Sequence, residues 1–364
     1  MKGLSRSLAL PLSSILICIV AVVGCSTVGF YTQAVGGQLH LITHRVAVSE
    51  LIDSSATPDE LRARLERIEA ILAFAEDRLA LPVGDRYRSY VDVDKPFLVW
   101  NVVAAPEFET APLNRCYPII GCAAYRGYFN EKGALKEAER LRDRGFDVHV
   151  GGAAAYSTLG WFDDPIVSTF ADWRTERLAE LLFHELAHSV VYLKNDTAFN
   201  EAFASFVGEQ GVGMWLGPNG LPGFERAQRD EKQLFALLAG WRERLDTIYA
   251  EDIPMAEKRR RKEASFEALR ACYAMHRDRM GGGRFDEYMA RPFNNARLAT
   301  ISTYQRYVPA FARLFRVAGG DWATFYASVV ELGRDAARGE KLAELLQEEI
   351  AHRGYDEGAD QVEC

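Results

Sequence analysis

The sequence predicts an α+β fold, a small sheet-bearing N-terminal lobe packed on a mainly helical one. Short runs rich in β-branched and aromatic residues fall between positions 97 and 150, and helical spacing of apolar residues dominates after Asp172. The helical part is broken by Gly-Pro-rich sequence at 211–223 and by Gly281-Gly-Gly283. The 364 residues, 48% hydrophobic and 26% charged, suffice for one large unit. We divide it into a mixed lobe over 25–172 and a helical lobe over 173–364.

In chain order, residues 57–80 open with Thr57-Pro-Asp-Glu60 and continue with apolar residues at helical spacing, which predicts a helix. Phe97-Leu-Val-Trp-Asn-Val-Val103 reads as a strand. Tyr125–Phe129 and Phe146–Val150 read as two more around a helix at 130–144. Leu181–Val191 is apolar on nearly all sides, so it predicts a buried helix. Thr197–Gly211 reads as the next helix, with Thr197 placed to cap it and Gly211 to end it.

The first two dozen residues differ from the rest. Lys2 and Arg6 precede the apolar stretch from Ser7 to Gly24, the pattern of a secretory signal over residues 1–24. Its end, Val22-Val-Gly-Cys25, resembles the lipobox of bacterial lipoproteins, in which Cys25 is lipidated and begins the mature chain. Ser26 in place of an aspartate implies, by that resemblance, the outer membrane of a Gram-negative envelope, with the protein facing the periplasm. An uncleaved anchor helix is the other reading, and both put the bulk of the chain outside the cytoplasm.

The formal charge of −8 grows more negative once Lys2 and Arg6 leave with the signal, which argues against a nucleic-acid partner. The basic run Lys258-Arg-Arg-Arg-Lys262 is expected on a solvated helix face, a contact with anionic lipid being the alternative. With Cys18 in the signal and Cys25 committed to lipid, four thiols remain. Cys116 and Cys122 bracket a short turn-rich loop that a disulfide would close, while Cys272 and Cys364 are left open between pairing and free thiols.

His184-Glu-Leu-Ala-His188 carries the strongest chemical signal. Residues four apart share a helix face, so both imidazoles can reach one metal, with Glu185 beside them to activate water. Nitrogen ligands suit Zn²⁺, and a cation relieves the desolvation of this buried polar set. In the next helix, Glu201 lies opposite the stripe of Phe199, Ala202, Phe203, Phe206 and Val207, among the small residues Ala198, Ala204, Ser205 and Gly208. It is the expected third ligand, with Glu209 its competitor. Glu180, one turn before His184, is a candidate to orient a histidine.

His184-Glu-Leu-Ala-His188 with Phe199-Asn-Glu-Ala-Phe-Ala204 resembles the gluzincin arrangement, and the mature chain resembles the bacterial predicted-aminopeptidase lipoprotein family. The matching segments are Gly29–Leu39, Trp100–Pro106, Tyr125–Phe129, Ala155–Pro165 and Asn294–Ala296. The resemblance implies zinc on His184, His188 and Glu201, catalysis by Glu185 and a peptide substrate. The twelve-residue spacer between His188 and Glu201 is shorter than in the best-known gluzincin aminopeptidases. No Gly-x-Met-Glu-Asn sequence of the kind that reads a free amine there is present.

Amide hydrolysis also needs a donor for the oxyanion. Tyr304 is our first candidate, with Tyr307 and Tyr156 beside it, and Asp163, Asp164 and Glu209 are candidate acids for a substrate ammonium. Removal of N-terminal residues is the expected mode. Internal cleavage, or a non-catalytic envelope lipoprotein with structural zinc, are the alternatives.

Overall fold

A computed structural model describes residues 29–117, 121–155, 163–300, 307–353 and 364. Cys25, Tyr156 and Tyr304 lie outside them. The fold is α+β, and among the described residues the sheets lie in the N-terminal half.

Helix α1 spans 29–43 and leads to β1 (Val46–Ala47), α2 (Val48–Asp53) and α3 (Asp59–Leu79). Strands β2 (Ser89–Val91), β3 (Val99–Pro106), β4 (Arg115–Tyr117), β5 (Gly121–Ala123) and β6 (Tyr125–Tyr128) precede α4 (Glu131–Arg142). Then come β7 (Phe146–Ala153), β8 (Ile166–Val167), α5 (Ser168–Ala171) and α6 (Thr175–Ala187). The remainder is helical: α7 (Thr197–Ala250), α8 (Met255–His276), a 3-10 turn (Arg277–Met280), α9 (Asp286–Ala290), α10 (Asn295–Ala299), α11 (Val308–Val317), α12 (Trp322–Arg334) and α13 (Arg338–Arg353).

Strand β3 is the centre of an antiparallel sheet ordered β6-β3-β7. Its alternate residues Trp100, Val102 and Ala104 pack with Tyr128 and Val148 under Ala134, Ala138 and Leu141 of α4. Val103 and Ala105 face Ala296 of α10 on the other side. A strand covered on both faces reads as a continuous apolar run, which explains why β3 is so plain in the sequence. A second sheet, β1-β2-β8, pairs β2 parallel to β8 in two-residue contacts that no local pattern announces. Strands β4 and β5 form a hairpin in which Cys116 faces Cys122 and is disulfide-bonded to it. Cys272 and Cys364 form a second disulfide among the described residues.

Two larger cores fill the helical part. The first gathers α3, α6 and the start of α7 against α11 and α12, with Phe199, Phe203 and Phe206 meeting Phe311, Phe315, Trp322 and Phe325. The second gathers Leu234, Leu238, Trp241 and Leu245 of α7 with Phe266, Leu269 and Tyr273 of α8. Helix α7 thus serves both cores, and its path breaks at Gly217, where φ is 59° and ψ −171°, just before Pro218.

Three local expectations are corrected. Gly211 does not end its helix: a Cβ there would meet Phe183 at 2.7 Å and Leu79 at 2.8 Å, so the glycine serves close packing and the chain turns at Gly217 instead. Thr197 is not the cap, because the Asp196 carboxylate accepts the Phe199 N–H at 3.2 Å. The basic run is a solvated face only in part: Arg259 and Arg260 have side chains 52% and 68% exposed, and the departure is at Lys262. Arg259 pairs with Glu107, Arg260 and Arg261 with Glu257, and Lys262 is buried, donating to Asp147 at 2.6 Å and to the Glu107 carbonyl at 2.9 Å. It joins α8 to the ends of β3 and β7.

Candidate metal centre

Helix α6 buries Leu178, Ala179, Leu182, Phe183, Leu186 and Ala187, which fixes its rotation and turns His184 and Glu185 away from the densest packing. The helix stops at Ala187, earlier than its apolar pattern suggests, and His188 is its C-cap with helical dihedrals. The four-residue spacing is therefore kept. The imidazole rings of His184 and His188 stand 4.9 Å apart, nearly perpendicular.

A short loop returns the chain to α7. Asn200, 2% exposed, holds that loop by accepting the Leu193 N–H at 2.7 Å and donating to the Leu193 carbonyl at 2.8 Å. Asn195, in the left-handed region at φ 65°, accepts the Cys122 N–H at 3.1 Å and so ties the disulfide hairpin to the same loop. The Asp196 cap is bound in turn by Arg338 of α13 at 2.9 Å. Glu201 follows in the second turn of α7. At Gly208 the two helices come so close that a Cβ would sit 3.0 Å from the Glu180 carbonyl and 3.5 Å from the His184 Cβ.

This close approach sets Glu201 beside the histidines. Its Oε2 lies 3.3 Å from His184 Nε2 and its Oε1 lies 3.9 Å from His188 Nε2. One ligand atom from each of the three residues falls within 4.8 Å of the others. Tetrahedral zinc with ligands at about 2.0–2.2 Å puts neighbouring ligand atoms about 3.3–3.6 Å apart, so the set fits such an ion with small adjustments. Glu209 is not in the group: it pairs with Lys232 at 2.9 Å.

The electrostatics suit a cation. Burial draws the His188 imidazole down to about 4, helped by its neighbour His184, and keeps it in the neutral form that ligates. Its Nδ1 is buried and has no hydrogen-bond partner among the described residues. Burial also opposes a charge on Glu201, but the hydrogen bond from His184 and the nearby imidazoles prevail and hold its carboxyl below the usual range. Glu180 is pushed up to about 7 by burial and by the Glu231 and Glu209 carboxylates. No fourth His, Cys, Asp or Glu joins the trio among the described residues.

Glu185 lines a small, mostly apolar cavity with Leu41, Tyr87, Leu98, Val167, Phe170 and Leu181. Tyr87 is a site residue the sequence did not reveal. Its backbone is left-handed at φ 61°, a strained state for an aromatic residue, and its N–H donates to the Asp164 carbonyl at 2.8 Å. Burial, then the charges of Glu185 and Asp164, push its hydroxyl well above the ordinary tyrosine value. Tyr192 was also missed. Its ring meets His188 edge-on at 6.2 Å, and its place four residues after that histidine was the available signal. Of the candidate acids, Asp164 is buried beside Tyr87 while Asp163 is exposed. Tyr307 stands at the start of α11.

No curated protein and no solved structure matched this chain. A family profile described as "Putative aminopeptidase" matched residues 29–346, nearly the whole of the described chain. With that match running from α1 into α13 and covering every residue of the centre, the chain belongs to this aminopeptidase family.

Proposed function

We propose that the protein is a zinc-dependent aminopeptidase, with the metal held by His184, His188 and Glu201 and with Glu185 as general base. The observation that carries this reading is the convergence of three ligand atoms within 4.8 Å on two helices, with a carboxylate adjacent on the first. Zn²⁺ at such a site supplies Lewis-acid activation of water and of the scissile carbonyl. Glu185 takes the proton from the attacking water as its oxygen bonds to the carbonyl carbon, and delivers it to the amine nitrogen as the C–N bond breaks. Against its burial, Glu201 and Glu185 favour a proton on His184, which metal binding would displace, so that two neutral imidazoles and an ionised Glu201 would give the ligand set one formal negative charge. Three protein ligands among the described residues suit catalysis better than structure, since structural zinc fills four positions with side chains. We also propose attachment to the envelope through lipid on Cys25.

The test compares a peptide with its N-acetylated twin, using wild type and Glu185→Gln. Wild type should release N-terminal residues from the free peptide alone. Glu185→Gln should keep its metal and lose on the order of 10²–10⁴ in kcat. Equal internal cleavage of the two peptides would replace the aminopeptidase reading with an endopeptidase. Protein that binds no metal would overturn the zinc assignment.

A further inference from the structure

Helix α1 has two dissimilar faces. On one, Phe30 stacks on Arg126 at 3.9 Å and meets Tyr128 edge-on. Gln33 accepts the Phe129 N–H at 2.8 Å, Gly37 leaves room for the Phe129 ring, and Leu41 is 2% exposed. Positions 30, 33, 37 and 41 make one stripe, and it is docked on β6 and the first core.

The other face carries Tyr31, Val35, Leu39 and Ile42, exposed by 42%, 65%, 55% and 38%. Spaced by four, four and three, they form a single apolar stripe along the helix. Scattered surface hydrophobics are ordinary and need no partner. This stripe is contiguous, and it lies in a stretch without one Lys, Arg, Asp or Glu from Ser7 to His44. The apolar run that ends at Gly24 comes just before it, and Tyr31 is six positions after Cys25. A fully extended chain of that length reaches at most about 20 Å.

We propose that the exposed face of α1 lies on the lipid bilayer, immersing Tyr31, Val35, Leu39 and Ile42 at the headgroup boundary. The occupant is lipid because the stripe's covalent neighbour is a segment as apolar as a bilayer core. Lipid on Cys25 and retention of the apolar leader both start the helix within interfacial reach of the membrane. An uncharged helix loses no ionic hydration on entering that layer, and tyrosine is a favoured residue at its boundary. The inference rests on attachment of the chain near residue 25 and is independent of the metal centre.

The test uses the full chain in vesicles of phosphatidylethanolamine and phosphatidylglycerol. The photo-crosslinker p-benzoylphenylalanine replaces Val35, Leu39 or, as a control, Met275, which is 72% exposed on α8. All three sites face solvent, so folding is not at stake. Lipid adducts at 35 and 39 should exceed those at 275 by at least about tenfold. A palmitate analogue on Cys25, read in the same samples, reports the anchor separately. Labelled protein with no excess adduct at 35 and 39, or with adducts only to protein, overturns the docking. Adducts without the palmitate label uphold the docking and overturn the lipid anchor.

Discussion

The two helical cores treat buried polar groups differently. In the second, Arg297 and Asn295 are each tied at several points, although the Tyr288 hydroxyl beside them has no hydrogen-bond partner among the described residues. Arg297, 3% exposed, donates to the carbonyls of Arg291, Pro292 and Tyr288 and lies over the rings of Tyr288 and Phe293. Asn295, fully buried, donates to the Pro106 and Glu107 carbonyls, gives its N–H to Asp147 and accepts from Tyr249. At the candidate metal centre of the first core, two less deeply buried groups are tied more loosely: His188 Nδ1 has no partner among the described residues, and Glu201 faces two imidazoles at 3.3 and 3.9 Å. Satisfied groups specify structure, whereas under-satisfied ones crowded together mark a place where something else binds.

The contrast can be broken most sharply at Glu201. We expect Glu201→Ala to lower metal affinity by more than about 100-fold and to abolish hydrolysis, with Glu209→Ala retaining both. Metal analysis after dialysis decides, and the reverse pattern would move the third ligand to Glu209. The metal-free fold of Glu201→Gln should change by less than about 1 kcal/mol, because the amide oxygen of glutamine can still accept the one hydrogen bond from His184. In the other core, Arg297→Ala should cost about 3 kcal/mol in denaturant unfolding, since it strands three carbonyls. A cost below that of Glu201→Gln would overturn the comparison.

Gly208→Ala sharpens it more gently. The new methyl has backbone on one side and cannot be absorbed by a side-chain shift, so α6 and α7 must separate. A loss of about 1–3 kcal/mol is expected, with weaker metal binding because Glu201 retreats from His184. The smallest effect concerns Glu137 of α4. Burial raises its carboxyl, but Arg140, Arg115 and Arg126 prevail and hold it below the ordinary 4.5. A lowered folded-state pKa contributes stability above 4.5 that is lost as pH falls through the lowered value. Glu137→Gln should therefore lose on the order of 1 kcal/mol at pH 7 and show a flatter acid limb below 4.5.

What the sequence revealed follows from how local each feature is. The pairing of His184 with His188 needs one helix turn, and the place of Glu201 opposite a phenylalanine stripe needs one helix. Strand β3, covered on both faces, was equally plain. Asn294 and Asn295 stood out as a motif, but their work is to cap α10 and to pin β3 and β7, which requires partners more than 140 positions away. Tyr87 was invisible for the same reason: its relation to Glu185 depends on a turn and on Asp164, and no periodicity records either. The caps and ends misread at Thr197 and Gly211 were decided by tertiary packing.

The contact of Arg338 with the Asp196 cap bears on when the centre can form. Leu41 of the first helix and Arg338 at the start of the last both act on one small site. Because a chain emerges from the ribosome N-terminus first, His184, His188 and Glu201 are made long before the residue that braces the loop between them. On the zinc reading proposed above, loading would follow synthesis of nearly the whole polypeptide, and a chain cut short before α13 should fail at loading before it fails at folding.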